Sequence, residues 1–311
     1  IEMGANHPGE IAYLASLAEP DYGVITNIGP AHLEGFGTVE GVARAKGELY
    51  ARLPADGVAA LNVETGYGHI LESQLNGRRT VSFGLNMPAD VTAADIQSDF
   101  NGVRFTLKTP EGSSLVTLPL PGKHNVFNAL AAAAIGHAMG MTVGDIATGL
   151  GQVEPPKGRL LPTTGPCDSL LLDDSYNANP ESLRAGIEFV VDAAKGNGGE
   201  AWLALGDMSE LGADAEREHA SAGHFAQEAG VKKLFVTGAM SAAAARAFSS
   251  AGGDAEHFES CELLAQSLNK QLGSASNGQV AVLIKGSRSA KMERVVVALQ
   301  AAASPTDIEK S

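Results

Sequence analysis

The sequence predicts an α/β protein made of two successive units, each built around a parallel sheet. Its length of 311 residues suits about two domains, and its 37 glycines are typical of folds with many tight turns between strands and helices. Short apolar segments rich in β-branched residues alternate with helical segments along most of the chain. A proline-bearing segment at residues 154–158 interrupts this pattern, so we place the boundary between units 1–156 and 157–311.

The composition limits the possible partners. Hydrophobic residues make up 44% and charged residues 19%, which is a normal balance for a folded protein. Acidic residues outnumber basic ones, 36 to 22, so the net charge of -14 gives no broad attraction to nucleic acid or to an anionic membrane. No apolar run approaches the roughly 20 residues of a membrane span. Cys167 and Cys261 have no CxxC partner, which favours free thiols in a reducing cytoplasm.

The first unit should combine a parallel sheet with a small antiparallel one. Between residues 90 and 120, polar and apolar residues alternate on both sides of Pro110-Glu111-Gly112, which is typical of a hairpin. We expect this antiparallel sheet to lie against the parallel sheet. Parallel strands are predicted at 24–28, 58–62 and 79–83, and helices at 38–53, 124–139 and 142–150.

The second unit reads as a regular strand–helix alternation. Strands are predicted at 170–173, 202–205, 234–237 and 280–284, and helices at 181–194, 214–228, 240–250, 261–272 and 290–302. Nearly continuous apolar strands separated by helices predict a parallel sheet covered on both faces. Polar segments with glycine or asparagine follow three of the strands, at 173–177, 206–208 and 285–288. Because ligands bind at the carboxyl ends of such strands, we expect a binding edge there.

Three residues of the first unit could form a metal site. Glu2 follows a strand-like segment, His32 lies in a glycine-bearing loop after another strand, and Lys46 lies on the next predicted helix. A carboxylate and a histidine at neighbouring strand ends can converge on a cation. Taken one at a time, each residue is better explained locally, Glu2 as a solvated carboxylate, His32 as a loop-capping histidine and Lys46 as a surface lysine.

The segments around these residues resemble the Mur ligase family. They are Glu2-Met3-Gly4 with Gly9-Glu10-Ile11, residues 26–34, and Ala43-Arg44-Ala45-Lys46-Gly47-Glu48. The resemblance implies that Glu2 binds the magnesium ion of the ATP phosphates and that His32 helps to hold a second magnesium ion.

The resemblance also implies that Lys46 is carbamylated, with Ala45 and Gly47 leaving room for the larger group. A carbamate turns a cation into an anionic oxygen ligand, which suits a hard metal. The lysine must be neutral when it reacts, so its pKa must be depressed. Arg44 is the competing basic residue and is rejected on spacing alone.

The resemblance implies that two further segments contact the nucleotide. Residues 122–128 would lie against the adenine through Asn125 and, as a second candidate, Asn128, since an amide offers a donor beside an acceptor. A turn followed by a helix start explains the same segment locally. Arg159, just after the proline-bearing segment, would reach back to the nucleotide. An interdomain salt bridge is its structural alternative.

The second unit resembles those Mur ligases that add D-alanyl-D-alanine. Within residues 173–180, Asn179 and Pro180 are explained locally as a helix N-cap and the first helical residue. The resemblance implies that Asp174 and Asn177 face the nucleotide phosphates and the reacting acyl group. Residues 206–212 and 285–293 also match. The implied substrate residues are Asp207, Lys285 and Arg288. Lys285 and Arg288 would bind a carboxylate of the dipeptide or of the tripeptide stem beside a helix N-terminus, or else be solvated cations near a helix cap.

The resemblance therefore implies the remainder of a P-loop-type central domain, followed by a Rossmann-like domain. It implies an ATP-dependent ligase that uses two Mg²⁺ ions, UDP-N-acetylmuramoyl-tripeptide and D-alanyl-D-alanine, and we expect a monomer. The chain contains no phosphate-binding loop ending in Gly-Lys-Thr or Gly-Lys-Ser, which the family places ahead of the segment matching Glu2. We therefore expect an N-terminally truncated fragment that is inactive alone. The alternatives are another Mur or folylpolyglutamate-synthase-like ligase and a non-catalytic partner subunit.

Overall fold

The computed structural model describes residues 1–30, 33–99, 101–196, 198–275 and 280–303. Its backbone divides into two units, Ile1–Glu154 and Pro155–Ser311, and each has its own hydrophobic core. The division falls within the proline-bearing segment 154–158. Among the described residues, none of the helices is both long and apolar enough to cross a lipid bilayer.

Among its described residues, the first unit contains six strands and six helices. The strands are β1 (Tyr22–Ile25), β2 (Val58–Asn62), β3 (Arg79–Phe83), β4 (Thr92–Asp99), β5 (Gly102–Thr109) and β6 (Gly112–Leu118). The helices are α1 (Glu10–Ala18), α2 (Leu33–Phe36), α3 (Val39–Arg52), α4 (Gly68–Ser73), α5 (His124–Ala138) and α6 (Val143–Gly151).

The strands of the first unit form two sheets that share one core. Strands β1, β2 and β3 pair in parallel, and β4, β5 and β6 form an antiparallel sheet with the predicted hairpin between β5 and β6. Side chains of both sheets, such as Phe83 and Phe105, pack with the alanine-rich face of α5 in a single buried cluster. Small side chains on α5 permit this close approach. The predicted combination of a parallel and an antiparallel sheet is confirmed.

The described part of the second unit contains six strands and five long helices. The strands are β7 (Leu161–Thr164), β8 (Leu170–Asp174), β9 (Glu200–Gly206), β10 (Lys233–Thr237), β11 (Asp254–Phe258) and β12 (Val280–Lys285). The helices are α7 (Pro180–Gly196), α8 (Ala215–Ala229), α9 (Ser241–Ser250), α10 (Cys261–Leu272) and α11 (Glu293–Ala303).

These strands form one sheet in the order β11-β10-β9-β12-β8-β7, in which only β7 runs antiparallel to its neighbour. The last strand in sequence, β12, thus lies between β8 and β9. Helices α7, α8 and α9 cover one face in a cluster that includes Leu183 and Phe248, and α10 and α11 cover the other face with Leu268 and Val295. The predicted doubly covered parallel sheet is confirmed.

The segment after β12 departs from the predicted helix 290–302. Residues Arg288–Ala290 form a short 3₁₀ turn, and α11 begins only at Glu293. Lys291 has a φ of 53°, in the left-handed region, and this interrupts the helix. The turn keeps residues 286–289 at the carboxyl edge of the sheet.

Candidate functional site

In the first unit, Glu2 and Lys46 line the same cavity. It has a volume of about 680 Å³, and most of its wall is apolar, including Ile25, Leu49 and Ile135. Glu2 is exposed and Lys46 is half-buried. His32, the third predicted member of the metal site, lies outside the described residues. Within the described ranges, His, Cys, Asp and Glu side chains form no group of three that could hold a metal ion.

Lys46 has the environment of a lysine with a weakened hold on its proton. Its Nζ atom donates a hydrogen bond to the carbonyl oxygen of Asn27 at 3.0 Å. Burial lowers the pKa of Lys46, because a charged ammonium is disfavoured away from water. A lowered pKa increases the neutral fraction of the amine, which is the form that reacts with carbon dioxide.

Glu48, two residues after Lys46, ties helix α3 to the N-terminal segment. Its two carboxylate oxygens accept hydrogen bonds from the backbone N–H groups of Gly9 at 2.8 Å and Ala12 at 3.0 Å. A carboxylate at the first turn of α1 is also favoured by the helix dipole. Glu48 stood within the motif that suggested the family, but its role as an anchor required the structure.

Gly47 lies against the side chain of Gln74. A Cβ atom at this position would lie 2.5 Å from Nε2 of Gln74, whose side chain donates to the carbonyl oxygen of Arg44 at 3.1 Å. The space beside Gly47 is therefore filled by Gln74, and the expectation that Gly47 leaves room for a modified Lys46 stays a prediction.

Asn125 and Asn128 brace the start of α5. The Asn125 amide donates from Nδ2 to the carbonyl oxygen of Pro121 at 2.7 Å, and its Oδ1 atom accepts from Asn128 Nδ2 at 3.1 Å. Gly122 makes the preceding turn at a φ of 92°. These bonds use part of the Asn125 amide, and its second N–H group remains for a ligand.

In the second unit, the segments predicted to form a binding edge lie together at the ends of β8, β9 and β12. Residue 285 pairs in register with Asp174 on one side and Leu205 on the other. Lys285 is only 2% exposed, and its Nζ atom lies 2.5 Å from Asp174 Oδ2 and donates to the carbonyl oxygen of Asn177 at 3.0 Å. The Lys285 ammonium thus has an internal carboxylate partner, whereas the sequence had suggested a ligand carboxylate.

Arg159 and Asn177 lie beside this pair. The Arg159 guanidinium lies over the ring of Tyr176, 4.6 Å from its centroid, and Tyr176 N–H donates to the carbonyl oxygen of Gly158 at 3.0 Å. Gly158 has a φ of 76°, and a Cβ there would lie 2.9 Å from Tyr176 N. The Arg159 loop is therefore held against the end of β8, while the exposed Asn177 accepts from the N–H of Ala178.

Asp207 joins three parts of the edge. Its Oδ1 atom accepts from the backbone N–H of Ser241 at 2.7 Å, at the start of α9. Its carbonyl oxygen accepts from the N–H of Ser287 at 2.9 Å and from the Ser287 hydroxyl at 2.6 Å. The predicted substrate residue Asp207 therefore also holds the edge together.

Three serine hydroxyls that the sequence reasoning missed contact one another at this edge. Ser209 Oγ lies 2.9 Å from Ser287 Oγ and 2.8 Å from Ser289 Oγ, and Ser287 Oγ lies 3.1 Å from Ser289 Oγ. Each hydroxyl has one proton. Since Ser287 donates to the Asp207 carbonyl, Ser209 donates to Ser287, and Ser289 can donate to Ser209 or to Ser287. In either case, the exposed Ser289 hydroxyl keeps lone pairs that can accept. We call Ser209, Ser287 and Ser289 the serine chain.

Arg288 stands at the outer side of the edge. Its side chain is 67% exposed and its Nη1 atom pairs with Glu293 Oε1 at 3.1 Å. Because a surface pair of this kind is weak, Arg288 can exchange Glu293 for another carboxylate. The structure thus brings Asp174, Asn177, Asp207, Lys285 and Arg288 to one edge of the second unit.

Comparison with known families assigns both units. The Mur ligase middle domain matches residues 1–136, and the Mur ligase glutamate ligase domain matches residues 158–288. The chain belongs to the Mur ligase family. Its relatives include UDP-N-acetylmuramoyl-tripeptide--D-alanyl-D-alanine ligases of Escherichia coli, 42% identical over 96% of this chain and 64% of the relative, and of Bacillus subtilis, 33% identical over 95% and 63%. The chain thus spans somewhat less than two thirds of these relatives.

Solved structures agree with this Mur ligase assignment. MurF from Acinetobacter baumannii superimposes with a TM-score of 0.87 at 33% identity, over 97% of this chain and 64% of that one. MurF ligase from Thermotoga maritima, solved in complex with ADP, gives a TM-score of 0.81 at 23% identity, over 97% of this chain and 66% of that one. The second likeness supports the fold alone.

Proposed function

We propose that the native protein that carries this chain is an ATP-dependent ligase joining D-alanyl-D-alanine to UDP-N-acetylmuramoyl-tripeptide. The observation that carries this proposal is the binding edge of the second unit, where Asp174, Asn177, Asp207, Lys285 and Arg288 lie together in a chain 42% identical to a ligase with that name. The activity remains a proposal because the chain spans 64% of that relative.

The reaction has two steps. The terminal carboxylate of the tripeptide takes the γ-phosphoryl group of ATP, which leaves ADP and an acyl phosphate. The amine of D-alanyl-D-alanine then attacks the acyl carbon, so that a C–N bond forms, the C–O bond to phosphate breaks, and the amine loses one proton. The residues of this chain contribute by binding and orienting the reactants.

The cavity of the first unit has the chemistry for magnesium once Lys46 is modified. Glu2 supplies one carboxylate, and a Lys46 carbamate would supply a second anionic oxygen ligand of the kind that Mg²⁺ prefers. Together with His32, these residues would hold two ions, which neutralise phosphate charge when bound. The lowered pKa of Lys46 supports the carbamate.

Nucleotide contacts are proposed for both units. Asn125, supported by Asn128, would present its free amide N–H to the adenine. Arg159, exposed and resting on Tyr176, would offer its guanidinium to the ribose or phosphates. Asp174 and Asn177 would face the phosphates and the acyl group.

The dipeptide is proposed to bind along the serine chain. The exposed Arg288 would take its carboxylate, while the lone pairs of Ser289 and Ser209 would accept N–H bonds from its amine. Neutral hydroxyl acceptors orient an amine and favour its ammonium form less than a carboxylate would, and an unprotonated amine is the attacking species. Lys285 would act indirectly by holding Asp174 and Asn177 in place.

A ligation assay tests the proposal. The native protein, with ATP, Mg²⁺ and UDP-N-acetylmuramoyl-tripeptide, should release phosphate and form the pentapeptide product with D-alanyl-D-alanine, but not with single amino acids such as D-alanine or D-glutamate. If the protein used a single amino acid, or a folate with glutamate, this proposal would be wrong and the protein would be another ligase of the same scaffold. Inactivity with every acceptor would favour a non-catalytic partner.

The proposal also covers the cellular compartment and the oligomeric state of the protein. Cys167 and Cys261 are both free thiols, which fits a reducing cytoplasm. We propose a cytoplasmic enzyme that acts as a monomer. Sedimentation of the native protein at several concentrations would reveal any self-association.

A further inference from the structure

His219 is a buried histidine to which the proposed reaction gives no role. It lies on α8 with none of its surface exposed to solvent. Its Nε2 atom lies 2.9 Å from the backbone nitrogen of Met208, and its Nδ1 atom lies 2.6 Å from the carbonyl oxygen of Ala215. Both ring nitrogens are therefore engaged by backbone groups.

These two partners determine where the ring carries its proton. A carbonyl oxygen can only accept, so Nδ1 must be protonated to bond with Ala215. A backbone N–H can only donate, so Nε2 must be unprotonated to bond with Met208. His219 is consequently a neutral imidazole in the Nδ1–H tautomer, and this tautomer serves as a fixed acceptor for Met208.

Met208 is the middle residue of the segment that builds the binding edge. The residue before it, Asp207, holds Ser241 and Ser287, and the residue after it, Ser209, contacts both other members of the serine chain. The peptide between these two anchors is fixed by His219. Without an acceptor, the Met208 N–H would be buried and unsatisfied, and the segment would shift to hydrate it.

We propose that His219 is a positioning residue for D-alanyl-D-alanine, acting through Met208 to set the place of Ser209 and the serine chain. This inference rests on the proposed function. It requires the bond between His219 Nε2 and Met208, whereas the bond to Ala215 serves only to fix the tautomer.

Two substitutions separate the two bonds. In His219→Gln, the side-chain amide reaches the position of Nε2 and can still accept from Met208. In His219→Asn, the shorter amide reaches the position of Nδ1 and can bond only with Ala215. Both remove the ring and create a similar cavity, so each is the control for the other in thermal stability.

Steady-state ligation by the native protein gives the first test. His219→Asn should raise the KM for D-alanyl-D-alanine roughly tenfold, as expected for one lost buried hydrogen bond, with the KM for ATP unchanged. His219→Gln should stay within about threefold of the native KM. Equal dipeptide KM values in the two variants, or an equal rise in the KM for ATP, would overturn the proposal.

Nitrogen NMR of the 311-residue chain, without substitutions, gives a second test that needs no activity. We expect the Nδ1–H tautomer for His219, and slow hydrogen exchange at Met208 that becomes fast in His219→Asn but not in His219→Gln. An Nε2–H tautomer would contradict the proposal. A native protein that does not ligate D-alanyl-D-alanine would overturn the proposed function, and this role with it, even with the expected tautomer.

Discussion

Lys46 combines a half-buried amine with a lowered pKa in a cavity that also contains Glu2. We predict that ¹³C-labelled bicarbonate gives a protein-bound carbamate signal in NMR, and that this signal grows as pH rises because only the neutral amine reacts. Lys46→Arg should abolish it, whereas the exposed Lys123→Arg should not.

In the native protein, Lys46→Ala should abolish ligation, with partial rescue by a short-chain carboxylate. Full activity of Lys46→Ala would refute the assignment.

The ion pair between Lys285 and Asp174 should be important for stability. Asp174→Asn leaves the buried Lys285 ammonium without its countercharge, and such a loss costs about 3–5 kcal/mol of unfolding free energy. In the double variant with Lys285→Met, no charge is left unpaired, so the cost should be clearly smaller than the sum of the single costs. Urea unfolding measures the free energy of unfolding of Asp174→Asn, Lys285→Met and the double variant. Strictly additive costs would contradict a coupled pair.

The residue types at the binding edge could be predicted from the sequence, but their partners could not. Asp174 and Lys285 stood out because each follows an apolar strand. Their pairing depends on β12 lying beside β8, which no local pattern reveals. The serine chain was missed for the same reason, since serines near a turn are usually explained by capping.

In the turn between β10 and α9, the absence of a side chain on Gly238 leaves space for the carboxylate of Asp207. Gly238 has a φ of 114°, and a Cβ there would lie 2.3 Å from Asp207 Oδ1. Gly252 also has a positive φ, 90°, but its Cβ would meet nothing within 4 Å. Alanine costs about 1–2 kcal/mol of backbone strain at either site.

Gly238→Ala should therefore cost more than Gly252→Ala in urea unfolding, and only Gly238→Ala should raise the KM for the dipeptide in the native protein, because it displaces Asp207. Equal effects of the two substitutions would show that Asp207 can move aside without consequence.

The loop after β3 is held by one carboxylate. Glu64, just after β2, accepts hydrogen bonds from the backbone N–H groups of Leu85 and Asn86, each at 2.5 Å, and from the side chain of Asn86 at 2.9 Å. Burial raises the pKa of Glu64, but the hydrogen bonds from Asn86, Leu85 and Met87 outweigh it, so the pKa lies below its ordinary value of 4.5.

A carboxyl group whose pKa is lowered by folding stabilises the protein above its unfolded pKa and loses that contribution as pH falls through the folded pKa. We predict that Glu64→Gln destabilises the chain at pH 7 and that the difference from the native chain shrinks as pH falls below about 4.5. Urea unfolding at several pH values measures it, and a difference independent of pH would exclude the ionised Glu64 as its source.

Helices and strands with strong periodic patterns were predicted well, and edge elements were not. The central strands β8, β9, β10 and β12 are continuous apolar runs because they are buried on both faces. The edge strand β11, Asp-Ala-Glu-His-Phe, is only half-buried and lacks such a run. Propensity therefore failed where hydrogen bonding to a neighbouring strand decides the conformation.

Across the whole chain, each unit has its own buried core. Phe105 lies in the core of the first unit and Phe248 in that of the second, and both are fully buried. We predict that Phe105→Ala and Phe248→Ala each cost about 3–5 kcal/mol and accelerate hydrogen exchange mainly within the substituted unit. Equal acceleration across both units would show that they unfold as one.

Strand β12 comes last in the chain but lies between β8 and β9. During translation, β8 and β9 are therefore synthesised well before the strand that pairs with both of them. Asp174 and Lys285 are separated by 111 positions, so their ion pair and the edge around it form only after most of the unit has left the ribosome. In the folded order, the remaining neighbour of β8 is β7 and that of β9 is β10, so without β12 each would leave an apolar strand edge open to aggregation or proteolysis. A nascent chain stopped before β12 should therefore depend on chaperones for its survival.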